Sequence, residues 1–206
     1  MLNNSGFDLW SKDYDKTVEL CEDSREYPFA GYREVLNTVC KYVKEGNGRR
    51  VLDIGFGTGI LTKRLYDEGA EIYGIDFSAE MVKTAQGKMP NAKLMQYDFT
   101  NGLPTQLKEE KFDFIISTYA FHHLTDKQKA DFIGELQAHL SGAGKILIGD
   151  VAFETREALE KCREQAGEAW DDDEIYIVKE NLVNYFPKMK LEQISFCGGV
   201  CIIERI

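Results

Sequence analysis

The chain has 206 residues, with 25 Lys and Arg against 35 Asp and Glu for a formal net charge of −10, and 43% of its residues are hydrophobic. A chain of this size buries on the order of 70% of its unfolded surface in one core without a metal or disulfide staple, so the expectation is a single domain over residues 1–206. No apolar run reaches the roughly 20 residues of a membrane-spanning helix, and the opening segment lacks the basic and apolar regions of a secretory signal, which together point to a soluble cytoplasmic protein with no membrane partner.

Two further features narrow the class. Residues 154–180 hold ten acids against four bases, the opposite of the basic track that nucleic acid requires, so a nucleic-acid partner is not expected. The stretch reads first as a solvated helix face, and alternatively as the neighbour of a cationic substrate. The five cysteines, Cys21, Cys40, Cys162, Cys197 and Cys201, are odd in number and form no CxxC pair. They read as reduced, mostly buried thiols, with no metal site among them. Nothing in the sequence sets the oligomeric state.

In chain order, residues 1–45 read as an N-terminal helical arm. Trp10 and Tyr14 dot its polar start, and Phe29, Tyr32, Val35, Leu36, Val39 and Val43 trace an amphipathic helix that stops at Gly46-Asn47-Gly48. From residue 50, short apolar runs alternate with segments of helical period, the pattern of βα units closing a parallel sheet. The expected strands are Arg50 to Ile54, Glu71 to Ile75, Lys93 to Gln96, Phe112 to Ser117 and Lys145 to Asp150. Leu61 and Leu65 mark one intervening helix, Met81, Val82 and Ala85 a second, and Phe132, Leu136 and Leu140 a third, which Thr125 and Gln128 open as a capping box. Residues 151–206 add a helix through Ala158, Leu159, Cys162 and Ala166. Two strands follow, Lys190 to Phe196 and Val200 to Glu204, joined as a hairpin by Gly198-Gly199. The expected fold is α/β: a Rossmann-like, doubly wound, mostly parallel sheet with an antiparallel C-terminal hairpin.

The most informative segment is the run from Val51 to Leu61, an apolar strand passing into Gly55, Gly57 and Gly59 and then a helix. Such glycines let a ligand approach backbone N–H groups at a helix start. A dinucleotide fingerprint needs a third glycine where Ile60 stands, and Asp53 would repel a pyrophosphate, so the loop suits a ligand that is cationic at that end.

Here the sequence resembles the class I S-adenosylmethionine-dependent methyltransferases, whose first motif is an acidic residue followed by G-x-G-x-G, as in Asp53, Gly55, Gly57 and Gly59. The Ile72 to Ser78 segment with Met81 resembles the second motif, and the resemblance implies that Asp76 accepts from both ribose hydroxyls. Gln96-Tyr97-Asp98-Phe99 resembles the third, in which Asp98 would accept from the adenine amine while Phe77, Met81 and Phe99 contact the ring. Phe112 to Leu124 resembles the fourth and brings Ser117 to the cofactor. Leu140 to Ile148 resembles the following strand entry, with Ser141 and Ala143 as departures. The match is firm over residues 50–150, the expected cofactor-binding core. The N-terminal Trp10 and Tyr14 and the phrase Ser117 to Leu124 resemble small-molecule members related to the ubiquinone-biosynthesis branch and uncharacterised bacterial proteins of this size, and the resemblance implies that the arm closes over the cofactor with Tyr14 as a site residue.

The resemblance also offers His122 as a base for a substrate hydroxyl, oriented by Asp150 at the end of the next strand. His139, beside Leu140, reads as structural. The expected activity is methyl transfer from S-adenosylmethionine, with S-adenosylhomocysteine as product, to an O, N, S or C atom of a small molecule. Two other readings stay open: a non-catalytic module binding the same cofactor, and an NAD-linked oxidoreductase, against which Ile60 and Asp53 both count. The acidic stretch near Trp170 and Tyr176 is the expected substrate lid.

Overall fold

The computed structural model describes residues 26–205. Trp10, Tyr14 and Cys21 therefore lie outside the described residues. Helix α1 (Tyr32–Glu45) follows the expected spacing, with Val35, Leu36, Val39 and Val43 all buried. It lies on the sheet close to Gly149, where a Cβ would stand 2.6 Å from Val35 Cγ1.

Five parallel strands come next: β1 (Arg50–Ile54), β2 (Glu71–Asp76), β3 (Lys93–Gln96), β4 (Phe112–Thr118) and β5 (Leu140–Phe153). Helices α2 (Ile60–Asp67), α3 (Ala79–Lys88) and α4 (Asp126–Ala138) connect them. Successive residues of β1 enter opposite cores: Val51 joins the cluster with Val35, Leu65 and Ile116, and Leu52 the cluster with Phe121, Phe132 and Ile133. Burial on both faces is why this strand reads as a continuous apolar run. The capping box at Thr125 and Gln128 is present and opens α4. His139 ends that helix with Nδ1 3.1 Å from the Glu110 carbonyl, a structural role as expected.

After β5 come α5 (Arg156–Ala166), the short β6 (Ile177–Val178) alongside β5, α6 (Lys179–Leu182), β7 (Lys190–Gln193) and β8 (Gly198–Glu204). The sheet runs β3-β2-β1-β4-β5-β8-β7, with β8 antiparallel to both neighbours. The chain leaves β1 toward β3, then crosses back to β4, so the order reverses between β1 and β4. In open sheets of this kind ligands bind outside the carboxyl ends of the strands at that reversal.

Several boundaries differ from the sequence reading: β2 and β4 run one residue further, to Asp76 and Thr118, β5 continues to Phe153, and Leu140, expected in the third helix, lies in β5. Strand β5 starts five residues earlier, because Leu140 pairs with Phe112 before an irregularity that brings Lys145 opposite Phe114. The hairpin turn is Ile194 to Cys197, not Gly198-Gly199, and β7 stops at Gln193. Both glycines sit in β8, where a Cβ on Gly199 would lie 2.9 Å from Leu191 Cδ1 and one on Gly198 3.1 Å from the Ala30 carbonyl. They answer close approach, while Ser195 makes the turn by accepting the Gly198 N–H at 2.8 Å. Cys40, Cys162, Cys197 and Cys201 are free and buried, and among the described residues no helix is long and apolar enough to cross a membrane.

Candidate active site

The loop after β1 is built on backbone conformations that side chains resist. Gly55, Gly57 and Gly59 have φ of +69°, +55° and +77°, all left-handed. Gly55 donates its N–H to the Ile75 carbonyl at 2.8 Å, and a Cβ there would stand 2.6 Å from that of Ala120. Around a Cβ placed on Gly57, in contrast, nothing among the described residues lies within 4 Å. That open side belongs to a cavity at the carboxyl ends of β1, β2 and β4, lined by Gly55, Gly57, Asp76, Phe77, Met81 and Phe99, with His123, Tyr119 and Tyr32 of α1 on other walls.

Asp76 ends β2 and is 4% exposed. Its Oδ2 accepts the Gly57 N–H at 2.8 Å and its Oδ1 that of Ser78 at 2.9 Å. An ionised carboxylate has about four acceptor positions, and these two backbone bonds fix its orientation. Ser78 caps α3 through Met81 N, which seats Met81 in the wall, and Gln96 Nε2 holds the Phe77 carbonyl at 3.0 Å. Phe99 is flanked by the parallel rings of Phe121 and Phe132, 6.2 and 6.0 Å away.

Four further candidates stand off the cavity wall, the first being Gly59, which packs the loop onto α3 where a Cβ would lie 3.1 Å from Met89 Cε and 3.3 Å from Ala85 Cβ. Asp53 is 1% exposed behind the loop, where its Oδ2 accepts from Thr62 Oγ1 at 2.6 Å and its Oδ1 has no hydrogen-bond partner among the described residues. Burial pushes this carboxyl up to about 7 against the bond from Thr62, and the charge of Asp76 adds to the rise. Ser117 spends its hydroxyl on the Ile54 carbonyl at 2.7 Å, tying β4 to the end of β1, and the next residue, Thr118, reaches the cavity in its place. Asp98 caps the 3-10 turn Phe99–Asn101 by accepting from Thr100 N and Oγ1 at 3.0 and 2.7 Å, an exposed position beside the ring of Phe99.

The acceptor side centres on the 3-10 turn Phe121–His123. His122 and Asp150 do meet: Nδ1 lies 2.8 Å from Asp150 Oδ1, and the His122 N–H donates to Oδ2 at 3.2 Å. Asp150 is fully buried. Burial alone would lower the His122 imidazolium, but the charge and hydrogen bond of Asp150 outweigh it and hold the ring above its ordinary value. The far nitrogen, Nε2, faces Glu174 Oε1 at 3.5 Å. His123, not His122, lines the cavity, and burial together with the charge of His122 brings it down to about 4.

Sequence reasoning missed Glu174, His123 and the buried Lys129. Lys129 Nζ donates to the carbonyls of Leu124 and, at 2.6 Å, Ile175, while the Ile175 N–H donates to the His122 carbonyl at 2.9 Å. The segment that carries Glu174 is thus anchored from both sides. Its aromatic residues meet the start of the described chain: Tyr27 stacks on Trp170 at 5.0 Å, and its hydroxyl bonds that of Tyr176. The expected lid segment is a packed cap beside the His122 turn.

A left-handed glycine loop after the first strand, with a carboxylate at the tip of the second, suits a ribose-bearing cofactor, and its relatives show that the chain belongs to the class I S-adenosylmethionine-dependent methyltransferases. A methyltransferase domain model matches residues 51–144. The chain is similar to uncharacterised methyltransferases of Anoxybacillus flavithermus, with 42% identity over 75% of this chain and 69% of the relative, and of Oceanobacillus iheyensis, with 35% over 88% and 85%. Its fold is that of an S-adenosylmethionine-dependent methyltransferase from Clostridium acetobutylicum (TM-score 0.70, 16% identity, 94% of this chain and 98% of that one). It also matches a magnesium protoporphyrin IX methyltransferase from Synechocystis solved with S-adenosylhomocysteine (TM-score 0.67, 19% identity, 86% and 85%).

The residues present fit that cofactor. The Gly57 backbone leaves open the space a Cβ would fill, and the unpartnered Oδ1 of Asp53 puts an acid behind the loop that a cationic ligand favours.

Proposed function

We propose that the methyl acceptor is a small molecule bound at the His123 wall of the cavity, and that Gly55, Gly57, Gly59, Asp76, Phe77, Met81 and Phe99 hold S-adenosylmethionine. When bound, the cofactor supplies a methyl group already activated on a sulfonium. The work left to the chain is alignment of the acceptor and exclusion of water, worth roughly 7–11 kcal/mol. Phe77, Met81 and Phe99 offer apolar contact to the adenine and Asp76 accepts from the ribose. Asp98 is the partner for the adenine amine, Asp53 and Ser117 support the loop from behind, and the family resemblance adds Tyr14 as a further cofactor-site residue. His122, held by Asp150, takes a proton on Nε2 where the acceptor is a hydroxyl or carbon acid.

The observation that carries this reading is the polar corner His122–His123–Glu174, set against a cavity whose cofactor side is glycine and apolar rings. The acidic surface of residues 154–180 supports exclusion of nucleic acid, and the odd cysteine count without CxxC pairs supports a cytoplasmic enzyme. The test is methyl transfer from cofactor labelled in the methyl group into an extract of cytoplasmic metabolites and macromolecules. Label is expected in the low-mass fraction. Label confined to protein or nucleic acid overturns the proposal.

A further inference from the structure

We propose that His122 Nε2, His123 and Glu174 form a binding site for one divalent transition-metal ion at the acceptor wall, deepening the small-molecule reading above and resting on it. The three ligand atoms lie within 4.8 Å of one another. His122 Nε2 and Glu174 Oε1, at 3.5 Å, already stand at the separation of two ligands on one tetrahedral ion, which bond lengths of about 2.1 Å place roughly 3.4 Å apart. His123, whose ring meets that of His122 edge-on at 4.3 Å, has to close by at most about 1.4 Å.

The surroundings resemble a metal site in a second respect. A metal-ligating imidazole ordinarily donates its other N–H to a carboxylate, which fixes the tautomer and the ring plane. Here Asp150, fully buried and itself bonded by the Val151 N–H at 2.8 Å, receives His122 Nδ1 at 2.8 Å and so leaves Nε2 as the lone pair facing the corner. Glu174 is fixed as well, because its neighbour Ile175 is bonded through both backbone groups, to His122 and Lys129. Two imidazoles and one carboxylate suit Zn²⁺, Fe²⁺, Co²⁺ or Mn²⁺, and three protein ligands leave coordination positions open.

Because His123 also lines the cofactor cavity, those open positions adjoin the acceptor space. The matching ligand class is a small molecule with an ionisable oxygen or sulfur, whose proton a bound cation makes easier to remove. With the ion in place His122 is a ligand and not a free base, and Asp150 is its positioning residue.

The test is a Co²⁺ titration of the chelator-stripped full chain, followed by the visible absorption of bound cobalt, with S-adenosylhomocysteine binding measured on the same samples by calorimetry. One equivalent of Co²⁺ is expected, displaced by Zn²⁺ and weakened at least tenfold in both Glu174→Gln and His123→Asn. Glu174→Gln, off the cofactor cavity, is expected to keep its S-adenosylhomocysteine affinity. His122 is left intact because its removal strands the buried Asp150. Absence of a cobalt band in protein that binds S-adenosylhomocysteine overturns the metal site alone and leaves His122 as a base, as does equal cobalt affinity in wild type and both variants. Failure to bind S-adenosylhomocysteine at all strikes the cofactor reading instead.

Discussion

Asp53 carries a cost that the rest of the loop does not. It is sealed behind the glycines with one oxygen unpartnered, and its carboxyl is pushed up to about 7 from an ordinary 3.8. The folded chain therefore keeps a proton there that the unfolded chain gives up near pH 4. Stability from this group is complete below about pH 4 and is lost as the pH rises through about 7. Asp53→Asn has nothing to ionise, so the ligand-free variant is expected to gain on the order of 2–4 kcal/mol over wild type at pH 8 and little at pH 4. Denaturant titrations at the two pH values measure the difference. Equal gaps at both would mean that Asp53 ionises in the folded state without penalty. Above about pH 7, where the wild-type carboxyl is ionised, the same variant is expected to bind S-adenosylmethionine more weakly, because it lacks that negative charge.

At the scale of elements, the loop between β1 and α2 separates two uses of glycine. A methyl on Gly55 meets Ala120 at 2.6 Å in a left-handed conformation, whereas one on Gly57 meets nothing within 4 Å and enters the cavity. Gly57→Ala is expected to fold with a loss of about 1–2 kcal/mol from backbone strain, yet to lose its response to cofactor. In wild type, S-adenosylhomocysteine at 100 times its dissociation constant stabilises by about 2.7 kcal/mol, a midpoint shift of roughly 5–11 °C. Gly55→Ala is expected to lower the melting midpoint before any ligand is added. A thermal-shift series reads both, and a full shift in Gly57→Ala would remove the cofactor from that wall. The loop was legible in the sequence because glycine between an apolar run and a helix has few other uses. Strands β1, β2 and β4 were legible because parallel strands covered on both faces stay largely apolar, whereas β3, at the sheet edge, showed only as the short Leu94-Met95 run. The C-terminal hairpin was misplaced because Gly198 and Gly199 signal a turn and a close approach equally well, and only the positions of Leu191 and Ala30 decide between them. His122 and His123 are adjacent in sequence, so which ring enters the cavity depends on the rotation of one 3-10 turn. Glu174 lay hidden in an acidic run, most of which is solvated.

Across the whole molecule, β8 joins the C-terminal third to the sheet, and one buried cation ties in the segment that carries Glu174. Lys129 faces the core of α4 at 0% exposure, and burial brings its ammonium down to about 8. Its Nζ bridges the carbonyl of Leu124, in the turn after β4, to that of Ile175, ahead of β6. Nothing in the sequence marks this lysine off from Lys127, two residues earlier on the same helix and paired with Asp131 at the surface. The clamp opposes two terms of similar size. Desolvating an ammonium costs several kcal/mol, and the two carbonyls it serves would each forfeit roughly 1–3 kcal/mol if left unbonded. Lys129→Met removes both terms together, so global stability is expected to change by less than about 2 kcal/mol, while the Glu174 segment loses its anchor. Hydrogen exchange separates the two levels, since local opening reports the segment and the slowest amides report the whole fold. The Ile175 amide, bonded to the His122 carbonyl, is expected to exchange at least tenfold faster in the variant, with amides of β1 and β2 nearly unchanged. Uniform acceleration throughout the sheet would make Lys129 a support of the entire core. Unchanged exchange at Ile175 would mean that the packed rings of Tyr27, Trp170 and Tyr176 hold the cap without it.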